Sequence, residues 1–362
     1  MLNLSDVKTL LNEGEGQDIL SLYLHVDNAL QENQATNPAW RIWLKKHLRD
    51  IDDQISEDRR ENWENLRARV EGYFQDYTPS GKAVVAFFGD DWDQVYALPV
   101  PVENQGAYGR PLVTPLLWAL DEYEPYLVVQ VDQEEAHFYV SYLGQTEFRD
   151  SMEIDIDEYD FGQKTGKPMT SSVRGASGAV QGSNREEFED MISEHRMRFY
   201  RQVAEHTRLI VEKEGIERVI IGGSEESGRV VRKQLAQNVD KHVVDVVSIP
   251  RHYTLHEIFR HVQPLALEHE RQTEHDLIDE VINSARAGGR GALGIEATQT
   301  ALQNQQVSHL ILSWPPRDAQ MANDLAYQAL KLNSEVITLH GAPADRLWQE
   351  GEGVAARLYY SI

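Results

Sequence analysis

Lys164, Lys167, Arg174 and Arg185 stand in residues 161–185, a 25-residue run that holds no Asp or Glu. Cations at that density suit polyanion recognition, because each can pair a phosphate and release its counterions. The run also contains five glycines and four serines and has no hydrophobic period. Such a backbone is costly in entropy to order and gains order from a partner. In a chain of formal charge −24 the run carries +4, so the remainder carries −28 (−24 less +4). Two readings stand side by side: a flexible finger that orders on RNA, and a linker-like insertion. Ser183 and Glu186 then read as a capping box that opens a long helix from about Arg185 to Glu214.

Other constellations invite chemistry and are weaker. His252, His256, Glu257 and His261 are metal-ligand types, but His256 and His261 are five apart. That spacing misses the one-face geometry of a zinc helix, so ordinary solvated or capping histidines are expected and no metal site. Gly222 through Gly228 (GGSEESG) lies between a strand and a helix, where a phosphate loop would sit. It lacks the Walker and dinucleotide patterns, and Glu225 and Glu226 would repel a phosphate, so a tight strand-to-helix turn is the simpler reading. Gly288 to Gly291 reads as a helix C-cap and turn, and Trp314-Pro315-Pro316 as a rigid turn used in packing or at a partner surface. Cysteine is absent, which excludes disulfides, thiolate zinc sites and cysteine nucleophiles. No Ser/His/Asp set with supporting context stands out, and no cofactor is expected.

The elements that must position these residues follow from periodicity. Residues 19–26 (ILSLYLHV) alternate like a strand, and a charged helical stretch from Trp40 to about Phe74 reads as two helices or one bent helix. Residues 82–88 (KAVVAFF) form a buried strand, and 94–102 a strand demoted to an edge by its prolines. The strand Tyr126–Val131 and its hairpin partner 136–142 open a second segment, which alternates strands and helices up to a helix over 255–286. A third segment alternates helix and strand from 296 to 360, as an α/β/α sandwich would. The acidic balance argues against a broad basic face for DNA, the amino terminus lacks the features of a signal peptide, and no apolar run suits a membrane helix. The expected location is cytoplasmic.

The order of these pieces resembles the archaeo-eukaryotic class-I peptide-chain release factor and Pelota-like family, as a divergent bacterial member. Residues 126–131 with the acidic residues after them and Ala136, 200–205 (YRQVAE), 219–223 (VIIGG) and 243–253 (VVDVVSIPRHY) resemble the family's middle domain. Residues 294–313 and 351–360 (GEGVAARLYY) are similar to its carboxy-terminal domain of ribosomal-protein-like fold. The resemblance implies an α/β chain of three domains: a recognition-like α/β domain over 1–123, a middle α/β domain with a mixed sheet over 124–275, and a carboxy-terminal α/β/α sandwich over 276–362. The run 161–185 falls where the family's release factors carry the Gly-Gly-Gln triplet that helps water attack peptidyl-tRNA. The triplet is missing here. Counting back from Val203 places Gln181, Gly182 and Ser183 at that point, and only Gly182 matches.

The resemblance implies a translation protein that binds the ribosome near its A site for rescue, hibernation or surveillance. Its partners would be ribosomal RNA or tRNA, with a protein partner for the carboxy-terminal domain and no membrane or DNA. Peptide release by the family's route is not expected. Two alternatives remain: a peptidyl-tRNA or aminoacyl-tRNA hydrolase with a remodelled loop using Gln181 or Ser183, and an interaction protein on the same fold without RNA.

Overall fold

The computed structural model of the chain describes residues 2–154 and 180–360, and for 180–191 the backbone alone. The architecture is α/β, with three sheets among the described residues, and divides into two compact units: Met1–Glu124 with Glu270–Ile362, and Pro125–His269. Each of the three expected segments carries one sheet, and the first and third pack as one unit.

In the first unit, α1 (Leu4–Glu13) is opened by a capping box between Asn3 and Asp6. Strands β1 (Ile19–His25), β2 (Ala83–Phe88), β3 (Asp93–Leu98) and β4 (Gln105–Gly109) form an antiparallel sheet in the order β3-β2-β1-β4. β2 is the expected buried run, and β1, expected to alternate, is instead buried on both faces apart from its end, because it lies centrally in the sheet under α2 and α3. The edge strand β3 stops at Leu98, before Pro99, which has no N–H for the ladder. The stretch 40–74 is two helices, α2 (Ala39–Asp52) and α3 (Arg60–Gln75). Trp40, Leu44 and Leu48, with Trp63, Leu66, Val70 and Phe74, recur at three- and four-residue steps and cover Leu20, Leu22, Leu24, Val84, Ala86 and Phe88. The short helix α4 (Thr114–Glu122) ends this segment.

The second unit holds a mixed sheet, as expected, in the order β7-β6-β5-β8-β9. β5 (Tyr126–Val131) pairs antiparallel with β6 (Glu135–Tyr142), and β6 with β7 (Gln145–Glu153). β5 also pairs parallel with β8 (Val219–Gly223), and β8 with β9 (Val243–Val246). One face buries Leu127, Val129, Phe138, Val140 and Ile221 against Phe199, Val203 and Val211 of α5 (Val180–Glu214) and Val231 of α6 (Glu225–Gln234). A short helix, α7 (Gln237–Asp240), leads into β9. The other face sets Tyr126, Val128, Tyr139 and Ile220 against Ile258, Val262 and Ala266 of α8 (Leu255–Arg286). α5 begins at Val180, so Ser183 lies inside it and is not its cap: the backbone is helical before the expected start.

The remainder of α8 belongs to the first unit. There Ile278, Val281 and Ile282 pack on Ile311, Leu339 and Ala355. These come from a sheet of order β10-β13-β11-β12, formed by β10 (Gly291–Leu293), β11 (Val307–Ser313), β12 (Glu335–Leu339) and β13 (Val354–Leu358). Helices α9 (Ile295–Gln303), α10 (Ala319–Lys331) and α11 (Gly341–Gly351) also pack on this sheet. Asn323, buried on α10, ties the two sheets' segments together: its Oδ1 accepts from Val113 N–H at 2.8 Å and its Nδ2 donates to Pro111 O at 2.8 Å. Among the described residues no helix is long and apolar enough to cross a membrane.

Candidate functional site

Lys164, Lys167 and Arg174 lie outside the described residues. Gln181, Gly182, Ser183 and Arg185 lie in the first turns of α5, where the backbone alone is described. What brackets this stretch is well defined. On one side β7 is held to β6 through Glu153, and Ile154 N–H donates to Glu134 O at 2.7 Å. On the other side the YRQVAE segment of α5 turns Tyr200, Val203 and Ala204 into the core and leaves Arg201, Gln202 and Glu205 exposed. Tyr200 OH and Ser227 Oγ share a buried hydrogen bond of 2.9 Å, which ties α5 to α6. Near the far end of α5, His206 Nε2 sits 3.0 Å from Asp150 of β7. The described elements on either side are thus an edge strand and a helix packed on the sheet.

Packing accounts for the glycine turn. A Cβ on Gly222 would lie 2.2 Å from Ile249 Cδ1, and one on Gly223 would lie 2.2 Å from Val131 O. Gly223 also has φ +97°, a conformation that glycine adopts without penalty. Ser224 caps α6, and Glu225 and Glu226 occupy its first turn, where carboxylates complement the helix dipole. The 252–261 histidines are likewise explained locally. Thr254 and Glu257 form a reciprocal cap, with Glu257 Oε2 accepting from Thr254 N–H and Oγ1–H at 2.8 Å each. Those bonds hold the Glu257 carboxyl below its usual range. Tyr253 stands edge-on to both His252 and His261. The glycines at 288–291 form the expected turn: Gly288 has φ +66° and Gly289 N–H donates to Ser284 O at 2.8 Å.

The first unit contains a polar cluster that no sequence motif announces. Glu122 of α4, Glu274 of α8 and His340 after β12 bring ligand-type atoms within 4.8 Å of one another. The cation among them is Arg271. It donates to both oxygens of Glu122, at 2.5 and 2.7 Å, and to Glu274 Oε1 at 2.7 Å. Beside it, Asp121 accepts from Thr338 Oγ1–H at 2.5 Å and Thr338 N–H at 2.8 Å. Burial pushes the Asp121 carboxyl well above the usual carboxylate range, and the two Thr338 bonds oppose this only in part. Trp314 of the Trp-Pro-Pro turn stacks on Trp118 of α4, with ring centroids 5.2 Å apart and planes at 4°. The Arg271 guanidinium bridges the two carboxylates and offsets one of their two charges, so the cluster joins α4 to α8 within the unit.

A family model described as bacterial archaeo-eukaryotic release factor family 10 matches residues 111–266. Over that segment, less than half of the chain, the sequence is similar to that family. The matched segment takes in β5 to β9, the whole of α5 and the acid-free run. Among solved structures, archaeal translation termination factor aRF1 is 16% identical over 99% of this chain and 98% of its own, with a TM-score of 0.29. S. cerevisiae Dom34, a translation termination-like factor involved in RNA quality control that interacts with Hbs1, is 12% identical over 75% of this chain and 73% of its own, with a TM-score of 0.46. A chain from a model of ribosome-bound archaeal Pelota and ABCE1 is 14% identical over 99% of this chain and 95% of its own, also at 0.46. These TM-scores are below 0.5, and the likeness transfers no geometry to this chain. No curated protein matches the sequence.

Proposed function

We propose that this protein is a cytoplasmic, release-factor-like translation protein that binds the ribosome near its A site, in rescue, hibernation or surveillance. The observation that carries this reading is the match of residues 111–266 to the release-factor family model. Within the matched segment lies the acid-free run with Lys164, Lys167, Arg174 and Arg185, a cationic stretch in a chain of formal charge −24. Its partner in this reading is ribosomal RNA or tRNA, recognised through phosphates. The α/β/α segment at the carboxy end is the element for a protein partner. Peptide release by the Gly-Gly-Gln route is not part of the function, because the triplet is absent from the sequence.

The test is sedimentation with purified bacterial ribosomes at rising salt, using the full chain. The wild type pellets with ribosomes at low salt and is released at high salt. Replacement of Lys164, Lys167, Arg174 and Arg185 by Ala shifts the release to lower salt. A wild type that never pellets overturns the ribosome reading, and a fourfold variant that behaves as wild type removes the run from the interface.

A further inference from the structure

The second unit has another cationic feature, separate from the 161–185 run. Arg229, Arg232 and Lys233 sit at i, i+3 and i+4 on α6 and so share one helix face. That face walls a groove of about 680 Å³, whose other side includes Asp240 of α7 and Asp245 and Val246 of the edge strand β9. Three like charges on one face repel one another, and the fold offsets this only partly. Arg229 pairs with Glu225 at 2.8 Å and Arg232 with Asp240 at 2.9 Å. Lys233 is exposed and has no ion pair among the described residues. The Arg229–Glu225 pair leaves its side chains 69% and 50% exposed, a weak surface pair that yields readily to a phosphate. The helix dipole accounts for cations in the last turn, Arg232 and Lys233, but not for Arg229 in mid-helix or for the groove all three face.

We infer that this groove seats the phosphodiester backbone of RNA, in addition to the basic run. The inference rests on the ribosome-binding reading above. Arg229 offers its planar fork and Lys233 its ammonium to phosphate oxygens, while Arg232 stays with Asp240. An acidic peptide adding to the sheet edge is the poorer fit, because the Val246 N–H on β9 is already taken by Asp245 Oδ1 at 2.7 Å. The Asp245 carboxylate also repels an anion from the β9 wall, so phosphates are confined to the α6 side.

The experiment measures the salt dependence of binding to purified bacterial ribosomes and to protein-free ribosomal RNA, using full-length wild type, R229A/K233A and D245N. For R229A/K233A the slope of log K against log salt becomes shallower by about 0.7–0.9 for each phosphate no longer paired. D245N tightens binding at every salt concentration and keeps an acceptor for Val246 N–H. Circular dichroism checks that both variants fold, as exposed substitutions should. A wild type that fails to bind ribosomes overturns the underlying reading. A wild type that binds while R229A/K233A keeps its slope overturns the groove alone. Weaker ribosome affinity in R229A/K233A with no binding of any variant to protein-free RNA assigns the groove to a protein partner, and also overturns it.

Discussion

Trp118 donates its indole Nε1–H to His340 Nε2 at 2.5 Å. An indole nitrogen can only donate, so His340 Nε2 carries a lone pair and the ring proton lies on Nδ1. Nδ1 faces Glu122 Oε2 at 3.3 Å and Glu274 Oε1 at 3.4 Å. His340 Nδ1 and the Arg271 guanidinium therefore face the same two carboxylates.

Removal of one side of this joint exposes its cost. Glu274 is 2% exposed, whereas Arg271 is 32% exposed and partly solvated. Glu274→Ala is expected to destabilise by about 3 kcal/mol, the lower end of what a broken buried pair costs. Trp118→Phe keeps the ring but loses the donor and is expected to cost about 1 kcal/mol. Urea unfolding followed by tryptophan fluorescence measures both, and equal losses for the two variants would contradict the arrangement.

Asp121 sets a pH dependence. Its carboxyl is raised by burial, so folding favours the protonated form. The associated stability is present in full below the unfolded carboxylate range and is lost as pH rises through the raised native value. Asp121→Asn can still accept from Thr338 and carries no charge. Its gain in melting temperature over wild type should grow from pH 4 toward neutrality and vanish in acid. A gain independent of pH would place the effect elsewhere.

Tyr126 acts at the alkaline end. It is 6% exposed, and burial pushes its phenol up to about 12 from 10.0. Stability tied to the neutral phenol is complete below pH 10 and is lost between 10 and 12, by about 2–3 kcal/mol over that span. Tyr126→Phe is expected to flatten the stability curve there. Denaturant midpoints at stepped pH would show it, and a slope equal to wild type would refute it.

Gly223 and Gly215 separate backbone strain from crowding. Both have positive φ, +97° and +65°, but a Cβ at Gly215 would meet nothing within 4 Å. Gly215→Ala is expected to cost about 1–2 kcal/mol from the left-handed conformation alone. Gly223→Ala adds collision with the Val131 backbone and is expected to cost about 2–4 kcal/mol. Matched denaturation curves decide it, and the larger loss must belong to Gly223.

Peptide release gives a functional counterpart. With no Gly-Gly-Gln in the chain, labelled peptide on stalled ribosomes should stay bound to tRNA in the presence of the protein. Gln181→Ala and Ser183→Ala should change nothing. Release abolished by either variant would instead reveal a hydrolase with a remodelled site.

Much of this molecule is written in local pattern. β2, β5 and β8 are apolar runs, β1 alternates like a strand, and Trp63-Leu66-Val70 announces a helix face without a partner in view, whereas the burial of Trp40 and Leu44 emerges only from the packing. The acid-free run and the missing triplet are likewise properties of the chain itself. Tertiary structure decided the rest. β7 is polar and largely exposed, and becomes a strand only because β6 offers it a ladder. Glu122 and Arg271 are 149 positions apart, and their pairing depends on α4 meeting α8. Arg229, Arg232 and Lys233 have legible helical spacing, but the groove they face exists only because β9 closes the sheet beside α6. Period and composition are set by near neighbours, whereas a site assembled from distant residues depends on which surfaces the fold brings together.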